Sequence, residues 1–208
     1  MKPVGRGGMV LILSGPSGSG KSSLYKKALS AVGGFEFSVS CTTRKPREGE
    51  VHGRDYYFLE ESEFVRRLDA GEFLEHAQVF AHRYGTLRSE VVDRLERGEE
   101  VILDIDVQGA KQIRKAAERD PLIAAAAQFV IIVPPDLATL ESRLRGRNSE
   151  SGEQLRLRLD GAVRELRNFR LYDFVVVNGD LDAAAAELAA VFRAVRLRTA
   201  NIRGELFP

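Results

Sequence analysis

LILSGPSGSGKSSL, residues 11–24, decides the fold. Met9–Leu13 is a short apolar run ended by Ser14-Gly15, the pattern of a buried strand. Gly15-x4-Gly20-Lys21-Ser22 follows and matches the P-loop pattern in full. The periodicity then predicts a helix over Lys21–Ala31, stopped by Gly33-Gly34. Strand, glycine loop and helix in that order can cradle phosphates. The glycines let the backbone turn its N–H groups inward, and the helix adds its positive end. The candidate phosphate contacts are Gly15, Pro16, Ser17, Gly18, Ser19, Gly20, Lys21, Ser22 and Ser23. Lys21 would reach the outer phosphates of a nucleoside triphosphate, and the Ser22 hydroxyl would touch Mg²⁺.

Working outward, the remaining pattern predicts an α/β domain with a parallel sheet. Further core strands are read at Glu100–Ile105, Phe129–Val133 and Phe174–Val177. Helices are read at Ser89–Arg97, from Asp136 to about Arg147, from Gln154 to about Arg170 and from about Leu181 to Arg198. Asp104 ends the apolar run Val101–Leu103, the shape of a strand whose terminal carboxylate holds Mg²⁺ directly or through water. Asp106, two residues on, points to the same side of an extended segment. Between the first helix and these strands, Phe35–Leu59 turns rich in Ser, Thr, Arg and Tyr. Short strands at Phe37–Cys41 and Tyr56–Leu59, then a helix Ser62–Ala70 begun by Ser62, make this a small inserted subdomain.

Bulk properties exclude several classes. A chain of 208 residues with a formal net charge of +1 gives no electrostatic reason to expect nucleic acid or an anionic membrane as partner. One cysteine, Cys41, excludes an internal disulfide and a cysteine-based zinc site, and nothing in the sequence makes it reactive. His52, His76 and His82 lack metal-ligand spacing. The apolar runs are far shorter than the roughly 20 residues that cross a bilayer. Met1–Gly8 reads as a disordered lead-in rather than a signal peptide, and the protein as cytoplasmic.

Four stretches beyond the P-loop carry a resemblance: SVSCTTRKPREGEVHGRDYYFL (38–59), GEFLEHAQVFAHRYGT (71–86), VILDIDVQGA (101–110) and LESRLRGR (140–147). Together, from about Met9 to Arg198, they resemble the guanylate kinases. The resemblance implies a P-loop nucleoside-monophosphate-kinase fold: a parallel core sheet flanked by helices, an inserted mixed α/β GMP-binding subdomain and a small helical lid. It implies one domain, with core 9–36, 88–139 and 159–200, GMP-binding subdomain 37–87 and lid 140–158. The implied reaction is ATP + GMP ⇌ ADP + GDP, with dGMP as a further acceptor and Mg²⁺ accompanying ATP.

Residue chemistry agrees. Arg44 and Arg47, beside Tyr56 and Tyr84, offer two guanidinium forks and two phenols to a phosphate dianion. The resemblance assigns these four to the GMP phosphate, with Glu50 orienting Arg47. Guanine presents two donors, N1–H and the 2-amino group, which one carboxylate accepts side by side. The resemblance gives that role to Glu75. It places Ser40 and Thr86 at O6 and the base edge, Asp106 as a second acceptor for the amino group, and Asp104 beside the GMP site. Asn178 matches a position near the adenine of ATP. Lys21, Arg44, Arg143, Arg147 and Arg158 would serve transfer, because a moving phosphoryl group needs positioning and cationic stabilisation. Asn148 stands where the family commonly has glycine. Two other functions fit parts of the pattern: another small-molecule P-loop kinase, and a guanylate-kinase-like interaction module without chemistry. The presence of Lys21, Ser22, Asp104, Arg44, Arg47 and Glu75 together argues against the module.

Overall fold

The computed structural model describes residues 5–79, 81–146 and 152–204. In chain order the elements are β1 (Gly5–Arg6), β2 (Met9–Ser14), α1 (Lys21–Val32), β3 (Phe35–Phe37), β4 (Cys41–Thr42) and β5 (Tyr57–Phe58). Next come α2 (Glu61–Asp69), β6 (Phe73–Val79), β7 (His82–Leu87), α3 (Arg88–Glu96), β8 (Glu100–Asp104), α4 (Val107–Ala117) and α5 (Pro121–Ala126). The chain closes with β9 (Ala127–Val133), α6 (Leu137–Arg145), α7 (Gly152–Leu166), β10 (Phe174–Val177), α8 (Leu181–Arg196) and β11 (Ile202–Arg203).

These elements form two compact units. The first holds the chain up to Leu11, Phe35–Ala127 and everything from Thr199; the second holds Ile12–Gly34 and Gln128–Arg198. Strand β2 contributes its first half to one and its second half to the other. In the first unit β2 borders β8, and β8 pairs in parallel with β3, from Phe35↔Glu100 to Phe37↔Ile102. In the second, β2 borders β9, which pairs in parallel with β10 from Phe174↔Val130 to Val177↔Val133. Parallel strands covered on both faces read as unbroken apolar runs, and every residue of β2 is buried, as are Ala127–Ile132 of β9. Helix α1 packs against α8, with Leu24 and Ala28 buried on one and Leu188, Phe192 and Val195 on the other.

The first unit also carries a mixed four-stranded sheet in the order β5-β4-β7-β6. Strands β4 and β5 are parallel, whereas β7 runs antiparallel to both β4 and β6. Cys41, Phe64 and Leu87 form its small core, with Tyr57, Leu59 and Phe73 packed against them. Strand β6 is one of its two edges, and at His76 a side chain covers it. Gln112 of α4 donates from Nε2 to the His76 carbonyl at 2.6 Å and accepts from the His76 N–H at Oε1 at 3.1 Å.

Several sequence expectations need correcting. The strand expected over Phe37–Cys41 is two, because the chain leaves the β8 pairing after Phe37 and joins a different sheet at Cys41. Within the expected lead-in, Gly5 and Arg6 form a strand: β1 pairs antiparallel with β11, and the Gly7 N–H reaches the Asn201 carbonyl at 2.6 Å. Helix α2 starts at Glu61 after Glu60, without a side-chain cap from Ser62. Helix α7 ends at Leu166, followed by a separate 3₁₀ turn at Phe169–Leu171. Helix α4 was not expected at all. Among the described residues no helix is long and apolar enough to cross a membrane.

Candidate active site

In the second unit, the turn from β2 into α1 forms the cradle. Gly20 caps α1 in the left-handed region, φ 82°, where a side chain would collide with Asn178 Nδ2. A Cβ on Gly15 would strike the Ile132 carbonyl oxygen. The loop is thus glycine-rich both for its turns and for the close approach of its neighbours. The Lys21 ammonium donates to the Gly15 carbonyl. Ser22 and Ser23 are exposed in the first turn of α1, as is Ser17 in the loop, whereas Pro16 and Ser19 are buried.

Asn178, expected near an adenine, braces the loop. Its Nδ2 donates to the Ser19 carbonyl at 2.7 Å, and its own backbone carbonyl accepts from Arg143 Nη2 at 3.0 Å. Arg143 Nη1 is buried without a hydrogen-bond partner, 3.9 Å from where a Gly20 Cβ would lie. Desolvated, unanswered donors are costly in a fold and become assets when an anion arrives. The Ser19 hydroxyl is likewise buried and unpartnered. Helix α6, which carries Arg143, packs with α7 through Leu140, Leu144, Leu155 and Ala162. Arg158 is half-buried on α7, and Arg147 lies outside the described residues.

In the first unit a carboxylate and aromatic rings gather around Arg44. Its guanidinium makes a two-bond fork with Glu50, Nη1 to Oε2 at 2.9 Å and Nη2 to Oε1 at 2.8 Å. It also lies over the Tyr56 ring at 5.4 Å and the Phe58 ring at 5.8 Å. Tyr56 and Tyr84 meet edge to face at 6.1 Å. The hydrogen-bonded fork raises the Arg44 pKa and lowers that of Glu50, while burial pushes the Tyr56 phenol up. Glu50, expected to orient Arg47, accepts the backbone N–H of Arg47 at 2.7 Å, and its side-chain fork goes to the Arg44 guanidinium. The reason is reach, since Arg47 sits exposed at the turn while Arg44 lies against the aromatic rings.

Glu75 sits on β6, opposite Thr86 of β7. It is 4% exposed, and its Oε1 accepts from the Thr86 hydroxyl at 2.6 Å. Burial, and next the charge of Asp106, push its pKa up to about 7, against the lowering effect of the Thr86 bonds. A shift in register between Phe73 and Glu75 explains why Leu74 and Glu75 are both buried although they are consecutive. Asp106 opens the next helix. It N-caps α4, its Oδ1 accepting from the N–H groups of Gln108 at 2.9 Å and Gly109 at 3.0 Å. Asp104 is exposed at the end of β8, and Ser40 is half-buried, its carbonyl accepting from the Tyr57 N–H at 2.9 Å. Sequence reasoning missed Gln112. The signal for it is Asp106 as a cap followed by Ala110 and Ile113 at helical spacing, which the ligand reading of Asp106 obscures.

Comparison with known proteins gives the chain its relatives. A profile of the guanylate kinase family matches residues 8–195. A guanylate kinase of Cereibacter sphaeroides is 42% identical over 193 residues, covering 93% of this chain and 89% of that one. One from Nitratidesulfovibrio vulgaris is 44% identical over 187 residues, covering 90% and 87%. The crystal structure of guanylate kinase from Anaplasma phagocytophilum superimposes with a TM-score of 0.75 at 32% identity, over 97% of this chain and 93% of that one.

Proposed function

The chain belongs to the guanylate kinase family, and on that premise we propose that it transfers the γ-phosphoryl group of ATP to GMP or dGMP, reversibly, giving ADP and the diphosphate. The observation that carries the choice of acceptor is Glu75, a buried carboxylate anchored on one oxygen by Thr86. It has acceptor capacity left for the paired donors of guanine. Adenine offers neither donor, so AMP would leave the carboxylate desolvated and unanswered, a mismatch that discriminates by up to about 10⁴-fold. Ser40, Thr86 and Asp106 complete the base contacts; Arg44, Arg47, Tyr56 and Tyr84 hold the monophosphate, with Glu50 setting Arg44 and Asp104 alongside.

Gly15 to Ser23 wrap the phosphates of ATP, and Asn178 supports that loop. Transfer requires a GMP phosphate oxygen in line with the γ-phosphorus. That oxygen is already largely ionised at neutral pH, so no side chain need act as general base. Lys21, Arg44, Arg143, Arg147 and Arg158 stabilise the charge spread over the moving group. Among the described residues no group of three or more His, Cys, Asp and Glu could hold a metal ion by itself. The Ser22 hydroxyl and the Asp104 carboxylate are hard oxygen donors suited to Mg²⁺ carried in on ATP, which would neutralise phosphate charge. In this reading residues 37–87 act as the GMP-binding subdomain and 140–158 as a lid that excludes water, in a cytoplasmic enzyme. A coupled ADP-release assay with MgATP and a panel of GMP, dGMP, AMP, UMP, dTMP and a ribose bisphosphate tests it. GMP and dGMP should dominate. A preferred acceptor elsewhere in the panel would make the chain a different P-loop kinase, and tight GMP binding without turnover would make it an interaction module.

A further inference from the structure

Helix α4 touches the base-reading carboxylate at a point where it has no side chain. A Cβ built on Gly109 would run into Glu75 Oε2, lie 3.0 Å from Glu75 Cδ and 3.1 Å from Ile105 Cδ1. Gly109 is the third residue of α4 and is buried, with backbone angles that any residue could adopt. Glycine weakens a helix. Here the turn does not require it; the space beside Glu75 does. One turn further on, Gln112 ties the same helix to the same strand by bonding both the N–H and the carbonyl of His76, the residue after Glu75. Asp106 fixes the start of the helix through the N–H groups of Gln108 and Gly109. The Glu75 carboxylate is therefore bounded on two sides, by the Thr86 hydroxyl at Oε1 and by the first turn of α4 at Oε2.

We propose that α4 sets the purine preference. Gly109, by its missing side chain, and Gln112, by its two-point hold on His76, are positioning residues that fix where the Glu75 carboxylate meets the base. The proposal rests on the reading of Glu75 as the guanine contact. Its physical content is that an alanine at 109 displaces the far end of a side chain and not backbone. The fold tolerates the change while the acceptor moves. Since a misplacement of about 1 Å can reduce rates by about 10²-fold, the kinetic effect should exceed any structural one.

The test is steady-state kinetics on the full chain with GMP, AMP and ATP varied, for Gly109→Ala, Gln112→Met, Glu75→Ala and Gly109→Ala/Glu75→Ala, with melting temperatures alongside. Gly109→Ala should raise KM for GMP about tenfold or more. Its kcat should change far less, KM for ATP should not move, and the melting temperature should be unchanged or higher. Gln112→Met, which removes both bonds to His76, should raise KM for GMP by a smaller factor in the same pattern. In the Glu75→Ala background, Gly109→Ala should add nothing, because there is no carboxylate left to displace. A GMP KM within about twofold of the parent for both Gly109→Ala and Gln112→Met would overturn the proposal, as would additive effects of Gly109→Ala and Glu75→Ala. If Gly109→Ala does not fold, Gln112→Met decides alone. If Glu75→Ala itself left the preference for GMP over AMP intact, the underlying reading of Glu75 would fail instead.

Discussion

Lys21 and Arg44, the two cations proposed to meet phosphate from the cradle and from the small mixed sheet, lie in different local settings. Lys21 donates to a neutral backbone carbonyl, that of Gly15 in its own loop. Arg44 is answered by the full carboxylate of Glu50 through two bonds. The regions around them differ in the same sense. The cradle is built from contiguous residues and presents backbone and unanswered buried donors, among them Arg143 Nη1. The proposed acceptor region draws side chains from β4 to α4, and three of its groups are already engaged: Arg44 by Glu50, Asp106 by the start of α4, Glu75 by Thr86. A loop that serves any triphosphate needs only to be poised. A pocket that must choose one base holds its groups in place beforehand, so that a wrong ligand leaves them worse off.

The comparison breaks most sharply at Lys21. Lys21→Ala should lower kcat by about 10²- to 10³-fold with the circular dichroism spectrum unchanged; a near-normal rate in the coupled assay would remove the cradle from the chemistry. Glu75→Gln should come next, lowering kcat/KM for GMP by about 10²-fold while KM for ATP stays put. Equal loss with both substrates would mean the two regions are not separable.

The third effect is one of pH. Glu75 has a folded pKa raised to about 7, above its ordinary value of 4.5. Its neutral form is therefore favoured by folding, so its contribution to stability is full below the ordinary value and is lost as pH rises through about 7. GMP binding needs the ionised form, so kcat/KM for GMP should climb through the same range. In Glu75→Gln only the lower limb due to the substrate phosphate should remain, and a profile unchanged from the parent would show that Glu75 does not titrate in the site. A smaller change is expected for Glu50→Gln: KM for GMP should rise about three- to tenfold as the fork on Arg44 loosens. A fall in KM would show that the carboxylate competes with the substrate instead of aiming its partner. Cys41 should show the smallest effect. Burial pushes its thiol up to about 12, so alkylation at pH 8 should leave activity intact until the protein is unfolded; rapid inactivation would contradict the burial.

The same contrast explains what could be read from the residues alone. The cradle is legible because its chemistry is local: strand, glycines, Lys21 and helix follow one another, and β2 and α1 lie where the pattern places them, within a residue. The base side is legible only by resemblance. Glu75 breaks the strand alternation because of the register shift beside it, so no period-2 argument could have turned it inward. Asp106 hid a helix by looking like a ligand. That Glu50 also forks Arg44 is not legible in the sequence, because Arg47 is three residues from Glu50 and Arg44 six, and what holds the Arg44 guanidinium in reach is the aromatic rings beneath it. The mixed sheet was under-read for a similar reason: β4 and β5 are two residues each and exist through partners far along the chain.

Gln112 has one more consequence, for how the molecule behaves in a crowded solution. A peripheral strand with bare peptide groups is a template on which another chain can lay its own backbone. At His76 that template is already filled, by a carboxamide that imitates a peptide unit and occupies both valences of the residue. The helix that carries Gln112 thus closes one point of a sheet edge, so a substitution at 112 meant to retune selectivity should be watched for aggregates as well.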